Sequence, residues 1–218
     1  MRGQSEADLK TFRGWILRVQ VNKSASARLL LLLHGWTGDE NSMWVFARGL
    51  GSRYWIMAPR APHPTRPGGY SWRIPPPEMS EGPGLDDLRG AAFAVTKLVD
   101  EYSAEQRLES PSFDVVGFSQ GAALAGALAV LFPKRVEKVA LLSGFLPNGA
   151  EALLSAGLLQ GVEFFVAHGT MDDMVSIGHA RESARLLKEA GASVTVCEDD
   201  VGHKVSAACL RGLQAFFT

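Results

Sequence analysis

The chain has 218 residues, of which 46% are hydrophobic and 21% charged, a composition that excludes a wholly disordered protein. Its 22 basic and 23 acidic residues leave a formal net charge of −1, so nucleic acid and anionic membrane surfaces are not expected partners. No window approaches ~18 uninterrupted apolar residues, and the N-terminus lacks the apolar core of a signal peptide. We therefore expect a cytoplasmic protein with no integral membrane association, folded as one domain over residues 1–218.

Predicted strands and helices alternate along the chain. WILRVQV at 15–21 alternates apolar and polar side chains and predicts an edge strand, with an antiparallel neighbour favoured. RLLLLLH at 28–34 is apolar throughout, as in a strand that is buried on both faces. The other predicted elements are a helix at 41–50, a strand at 54–58, a helix at 85–102, a strand at 113–117, a helix at 120–131, a strand at 136–143, a short helix near 150–156, a strand at 162–168, a helix at 177–190, a strand at 193–198 and a helix at 206–217. This alternation indicates an α/β fold with a mostly parallel central sheet and helices on both faces.

One long segment and two cysteines stand outside this pattern. Residues 58–84 carry prolines and glycines too densely for regular structure, and an irregular segment of that length in a compact domain is usually functional. Cys197 and Cys209 have neither a metal-binding spacing nor a disulfide framework, and each lies in an apolar context. We expect two reduced structural thiols.

The sequence GFSQG at 117–121 matches G-x-S-x-G and joins a predicted strand to a predicted helix, which is the context that a nucleophile elbow requires. In such an elbow the turn is so tight that only glycine fits beside the nucleophile. Ser119 would then hold a strained backbone geometry, and the helix N-terminus would direct its amides at the serine oxygen. The alternative is an ordinary turn in which Ser119 only caps the helix.

A serine needs a base to remove its proton and an acid to orient that base, and on this scaffold both come later in the chain. Asp172 and Asp173 follow the predicted strand that ends at His168, and sequence order does not separate them. His203 follows the last predicted strand and is the candidate base, whereas His63 and His179 lie elsewhere. We expect His34 and His168 to hold their loops by hydrogen bonds, and Asp199 and Asp200 to be loop charges, one of which is a less favoured candidate acid.

The oxyanion formed during acyl transfer requires two backbone amides. One is expected from the residue after the nucleophile, Gln120, and the other from the loop LLHGWTGDE that follows the early strand. Gly35 lets that loop turn inward, which makes the amide of Trp36 the expected second donor. The alternative is a plain glycine turn ahead of a helix.

Together, LLHGWTGDE, GFSQGAAL, HGTMDDMV and the GH pair at 202–203 resemble the phospholipase/carboxylesterase family of α/β-hydrolases, which includes acyl-protein thioesterases. The resemblance implies an α/β-hydrolase fold, with Ser119 as nucleophile, Asp172 as acid and His203 as base. It also implies that Trp72, in GGYSW, borders the substrate pocket together with Trp36. Trp36 and Ser176 stand where many relatives have Leu and Pro. Between Ser143 and Val162 there is no room for a large lid domain.

We expect a serine hydrolase that cleaves a small-molecule carboxylic ester or thioester and needs no metal or organic cofactor. The main alternative is a noncatalytic protein of the same fold that captures a small apolar ligand, because function resides in the site and not in the fold. Amide hydrolysis by the same residues is a third possibility. Covalent labelling of Ser119 discriminates the first two.

Overall fold

The structure is a computed structural model that describes residues 7–22, 24, 27–48, 50, 52–75, 82–108 and 112–218. Among these residues it contains ten strands and four α-helices. The strands are β1 Asp8–Phe12, β2 Trp15–Gln20, β3 Arg28–Leu33, β4 Tyr54–Pro59, β5 His63–Pro64, β6 Tyr70–Ser71, β7 Phe113–Phe118, β8 Val136–Leu142, β9 Glu163–Gly169 and β10 Ser193–Asp199. The helices are α1 Leu85–Gln106, α2 Gln120–Leu131, α3 Ile177–Glu189 and α4 Ala207–Phe216.

Eight strands form one twisted sheet in the order β1-β2-β4-β3-β7-β8-β9-β10. The strands from β4 to β10 in this order are parallel, whereas β1 with β2 and β2 with β4 are antiparallel. The predicted mostly parallel sheet is confirmed. In such a sheet the carboxyl ends of the parallel strands share one edge, and the loops that leave this edge are the usual place for a site.

Apolar side chains cover both faces of the sheet, as expected for buried parallel strands. On one face, α1, α2 and α3 pack against alternate residues of the strands. On the other face, α4 and the segment around Met43 and Phe46 do so. Helix α2 is buried over eleven of its twelve residues, because its alanines and glycines let it lie close to the sheet. Residues 143–162 hold one short 3-10 helix, Ala150–Ala152, and turns, so no lid domain interrupts the sheet here.

Three predictions about the elements are wrong. The strand at 15–21 is not at the edge, because β1 precedes it and pairs with it through a tight turn at Arg13 and Gly14, both with positive φ. The segment 41–50 forms successive turns with i to i−3 hydrogen bonds instead of a helix. There Asp39 accepts from the Asn41 amide and the Ser42 hydroxyl, as a helix N-cap does, but the hydrogen bonds that follow keep the i to i−3 spacing. The helix near 150–156 shortens to the 3-10 turn.

The prediction of two reduced thiols is also wrong. Cys197 on β10 and Cys209 on α4 form a disulfide, with Cα atoms 5.7 Å apart. The two residues lie 12 positions apart in sequence, and only the packing of α4 against the strand brings them together. The bridge therefore closes a loop whose ends are a strand and a helix, and His203 lies inside that loop.

Candidate active site

Ser119 lies between β7 and α2 with φ 53° and ψ −116°, a conformation that costs a non-glycine residue about 1–3 kcal/mol. The backbone around Ser119 is packed so closely that positions 117 and 121 accept only glycine. A Cβ built on Gly117 would lie 2.1 Å from the Gly121 carbonyl oxygen, and one built on Gly121 would lie 2.1 Å from the Leu33 carbonyl oxygen. The Ser119 amide donates to the Leu142 carbonyl at 2.9 Å, which fixes the turn to β8. The strained turn predicted from GFSQG is present.

Asp172 and His203 form a hydrogen bond of 2.8 Å between Oδ2 and Nδ1. The other Asp172 oxygen accepts from the amides of Met174 and Val175 at 3.0 and 2.9 Å. Burial alone would raise the Asp172 pKa, but the Val175 and His203 hydrogen bonds and the charge of His203 outweigh it and hold that pKa below its ordinary value. Asp172 is therefore a carboxylate at neutral pH, and its partner nitrogen on His203 carries the proton. The geometry separates Asp172 from Asp173, which is exposed.

The loops that carry these two residues are tied to each other by their backbones. Strands β9 and β10 are neighbours in the sheet, and beyond them Thr170 donates to Asp199 at 2.9 Å and Met171 to Val201 at 3.1 Å. A Cβ on Gly169 would lie 2.1 Å from the Val201 carbonyl oxygen, so the two loops touch. Asp199 and Asp200 both bind Thr170 across this junction. Asp199 accepts from its amide through the backbone carbonyl, and the Asp200 side chain accepts from its hydroxyl at 2.6 Å.

Ser119, Asp172 and His203 leave the same edge of the sheet, at the carboxyl ends of β7, β9 and β10. The Phe118 ring, one residue before Ser119, packs against the His203 imidazole with ring centroids 5.1 Å apart. The side chain of His203 is 15% exposed and that of Asp172 is fully buried, so solvent reaches the imidazole but not the carboxylate. The hydrogen bonds of the described residues include none between Ser119 and His203, so the two share this edge of the sheet and the Phe118 ring between them.

The turn after β3 approaches Ser119 from the other side. A Cβ built on Gly35 would lie 3.3 Å from the Ser119 Cβ. Trp36 follows at the surface, 37% exposed. Among the hydrogen bonds of the described residues, none is donated by the backbone amide of Trp36 or of Gln120. Two amides next to a serine, each without a protein acceptor, are what an oxyanion site requires.

The structure does not support Trp72 as a wall of an open pocket, because its side chain is 1% exposed. The indole Nε1 donates to the His34 carbonyl at 2.8 Å, and the Trp72 backbone amide donates to Gln120 Oε1 at 2.9 Å. Trp72 therefore lies beneath the turn that carries Trp36. The sequence showed that GGYSW belongs to the site region, but burial of one side chain inside a long loop has no sequence signature.

His34 and His168 hold their loops by hydrogen bonds, as predicted. His34 Nδ1 contacts the Gly35 carbonyl at 2.7 Å, and Nε2 accepts from the Ala61 amide at 3.0 Å. Burial lowers the pKa of His34 against the effect of the Gly35 bond, so this imidazole is neutral. His168 Nε2 donates to the Val175 carbonyl at 2.8 Å and lies 3.3 Å from Asp172 Oδ2, which makes it a second neighbour of that carboxylate.

Comparisons with known proteins place the chain in a family. A family model described as Phospholipase/Carboxylesterase matches residues 16–218. The chain belongs to this family. The family is one of hydrolase enzymes, and the resemblance stated from the motifs is confirmed. Among the described residues, no helix is both long and apolar enough to cross a membrane.

Three similar proteins illustrate the range of the family. "Acyl-protein thioesterase 1" of Candida albicans is 25% identical over 194 residues, which cover 80% of this chain and 83% of the relative. A probable inactive carboxylesterase of Oryza sativa subsp. japonica is 30% identical over 125 residues, 55% of this chain and 49% of the relative. The crystal structure of the Bacillus cereus carboxylesterase superposes with a TM-score of 0.81 at 23% identity, covering 94% of each chain. The α/β-hydrolase fold is thus shared.

Proposed function

We propose that this protein hydrolyses carboxylic esters or thioesters through Ser119, His203 and Asp172, by way of an acyl-enzyme intermediate. The observation that carries the proposal is the 2.8 Å hydrogen bond between a buried Asp172 and His203, beside a serine held at positive φ. A noncatalytic binding protein has no need for a strained serine and an oriented imidazole at one edge of the sheet.

The chemistry follows from the protonation states. His203 Nε2 takes the hydroxyl proton as Ser119 Oγ attacks the substrate carbonyl, and Asp172 stabilises the resulting imidazolium. The amides of Trp36 and Gln120 donate to the negative oxygen of the tetrahedral intermediate. As this intermediate collapses, His203 passes the proton to the leaving alcohol or thiol, and the acyl group stays on Ser119. Water, activated by His203, then attacks the acyl-enzyme and releases the acid and the free serine.

The names of the relatives raise two questions about the proposal: which ester class is cleaved, and whether the protein is catalytic. Acyl-protein thioesterase relatives favour a thioester as one substrate class, so paired oxygen and sulfur esters of the same acyl group need to be compared. One relative carries the name probable inactive carboxylesterase, so the noncatalytic alternative also needs a test. Against that alternative, this chain has the serine, the acid, the base and both oxyanion amides that the proposal uses. One experiment addresses both questions.

The experiment measures hydrolysis of p-nitrophenyl esters from acetate to long chain, with the matching thioesters, by wild type and Ser119→Ala. A fluorophosphonate is added in parallel, and its adduct is located by mass spectrometry. We expect turnover by wild type, a loss of at least about 10⁴-fold in Ser119→Ala and an adduct on Ser119. If no ester or thioester is cleaved and Ser119 stays unlabelled, the noncatalytic alternative replaces the proposal.

A further inference from the structure

The side chain of Gln120 contacts residues far away in the sequence. It is 9% exposed, and its carboxamide faces the end of the hairpin formed by β5 and β6. Oε1 accepts from the Trp72 amide at 2.9 Å, and Nε2 donates to Ser71 Oγ at 3.1 Å. The residue that supplies one oxyanion amide through its backbone thus binds, through its side chain, the segment 63–72, which we call the site hairpin.

The site hairpin in turn binds the loop that supplies the other amide. Tyr70 accepts from the Thr37 amide at 3.0 Å and donates its own amide to the Gly38 carbonyl at 2.9 Å. The Trp72 indole donates to the His34 carbonyl at 2.8 Å. These three hydrogen bonds lie on both sides of Trp36 in the chain. The Trp36 amide therefore lies between two attachment points on the site hairpin.

Packing and charge hold the same support in place. A Cβ on Gly69 would lie 1.9 Å from the Thr37 carbonyl oxygen, so the hairpin and the loop touch backbone to backbone. Arg60 pairs with Glu40 through Nε and Nη2 at 2.7 and 2.8 Å, and its guanidinium lies 4.7 Å from the centre of the Tyr70 ring. The Glu40 side chain is 3% exposed, which makes this pair a buried link between the loop and the hairpin.

We propose that the site hairpin sets the distance between the two oxyanion amides, with the Gln120 side chain and Trp72 as positioning residues. The inference rests on the proposed function, because it assigns Trp36 and Gln120 as oxyanion donors. The Ser119 turn by itself positions the Gln120 amide but not the Trp36 amide. The turn that carries Trp36 is exposed and takes its position from the hairpin. A misplacement of about 1 Å in a catalytic group costs on the order of 100-fold in rate.

The test compares Trp72→Phe, Gln120→Met and Trp55→Phe. Trp72→Phe removes the indole donor to His34 and keeps an aromatic ring, and Gln120→Met removes the carboxamide and keeps the backbone amide. Trp55→Phe is the matched control, because Trp55 is also a buried tryptophan but lies on β4 against Tyr102. Each variant is assayed for kcat and KM on a p-nitrophenyl ester and for inhibition by an aryl boronic acid, which forms a tetrahedral adduct with serine.

We expect kcat to fall at least about tenfold in Trp72→Phe and in Gln120→Met, with KM within about threefold of wild type. The boronic acid should lose affinity in parallel with kcat/KM, because its adduct uses the oxyanion amides and the ground state does not. The double variant should lose less than the product of the single effects, since both changes act on one network. Trp55→Phe should retain kcat within about twofold.

Hydrogen–deuterium exchange of the peptide 34–41 separates this inference from the proposed function. Exchange of the amides at 36–38 should rise in Trp72→Phe and stay unchanged in Trp55→Phe, whether or not the protein hydrolyses esters. Unchanged exchange, or a kcat in both site variants within threefold of wild type, overturns the positioning role while the hydrolase proposal stands. If wild type cleaves no ester but exchange still rises in Trp72→Phe, the hydrolase proposal is overturned. The hairpin then remains the support of this loop.

Discussion

The acid–base half and the oxyanion half of the site are held in place by different means. Asp172 and His203 follow neighbouring parallel strands, and backbone hydrogen bonds join their loops directly. The oxyanion half combines backbone hydrogen bonds of Tyr70 to Thr37 and Gly38 with side-chain bonds of Gln120 and Trp72. The bond from the Trp72 amide to the Gln120 side chain spans 48 residues of chain. Because a single substitution removes a side-chain hydrogen bond and leaves backbone pairing in place, we expect the oxyanion loop to respond to changes at Gln120 and Trp72.

The largest expected effect belongs to the acid–base half. In Asp172→Asn the one remaining oxygen accepts from the Met174 and Val175 amides, so the NH₂ group faces His203 Nδ1 as a donor and favours the wrong tautomer of the imidazole. We expect kcat on a p-nitrophenyl ester to fall by about 10³–10⁴-fold. The matched control is Asp173→Asn, which removes the neighbouring, exposed carboxylate and should change kcat less than twofold. Equal losses in the two variants would contradict the assignment of the acid.

The disulfide gives the next effect, again in the acid–base half. The bridge between Cys197 and Cys209 encloses His203, and in the chain-entropy description a loop of this length stabilises the fold by about 3 kcal/mol. Reductant, or the double variant Cys197→Ala with Cys209→Ala, should therefore lower Tm by roughly 6–12 °C. Calorimetry with and without reductant measures this change. In the double variant reductant should have no further effect, and a wild-type Tm that ignores reductant would show that the bridge does not stabilise the fold.

Gly121→Ala probes the contact between the two halves. Its Cβ would lie 2.1 Å from the Leu33 carbonyl oxygen, directly ahead of the turn that carries Trp36. Overpacking of this kind costs about 1–3 kcal/mol, and relief of the clash would also move the oxyanion loop. Gly90→Ala is the control, because a Cβ there meets no atom within 4 Å in helix α1 and should stabilise by about 0.5–1 kcal/mol. Urea unfolding measures both, and a neutral Gly121→Ala would show that the turn has room to relax.

The smallest expected effect is a change of folding stability with pH, caused by His34 in the oxyanion half. Burial holds the His34 pKa below its ordinary value, so the unfolded chain takes up a proton that the folded chain refuses. This contribution to stability is complete above the unfolded pKa of about 6.5 and is lost as the pH falls below it, by at most about 1.4 kcal/mol per pH unit. The Tm of wild type should therefore drop more between pH 7.5 and 5.5 than that of His34→Gln. Parallel curves would exclude His34 as the cause.

Much of the fold could be predicted from the sequence, because the signals are local. The run RLLLLL is buried on both faces, as expected from its apolar composition. Helix α2 begins at the small residues after Ser119 and ends at Leu131, two residues before Pro133. The predicted elements omit β1, because its two-residue turn Arg13-Gly14 has only the glycine of the usual Asn-Gly or Asp-Gly hairpin signal. Asp39 makes the contacts of a helix N-cap ahead of 41–50, yet the amides there donate to i−3 carbonyls, so the local signal for a helix and the observed turns differ.

The sequence by itself determined the family and the order of Ser119, an aspartate and His203, because a strand–turn–helix with flanking glycines is local chemistry. Only the tertiary structure decided what depends on distant neighbours. The family resemblance already favoured Asp172 over the adjacent Asp173, and the structure adds its 2.8 Å contact with His203. Packing alone paired two cysteines 12 residues apart. It also turned Trp72 inward to the carbonyl of His34. Each of these outcomes depends on where a side chain from another element lies, and that is set by packing of the whole sheet.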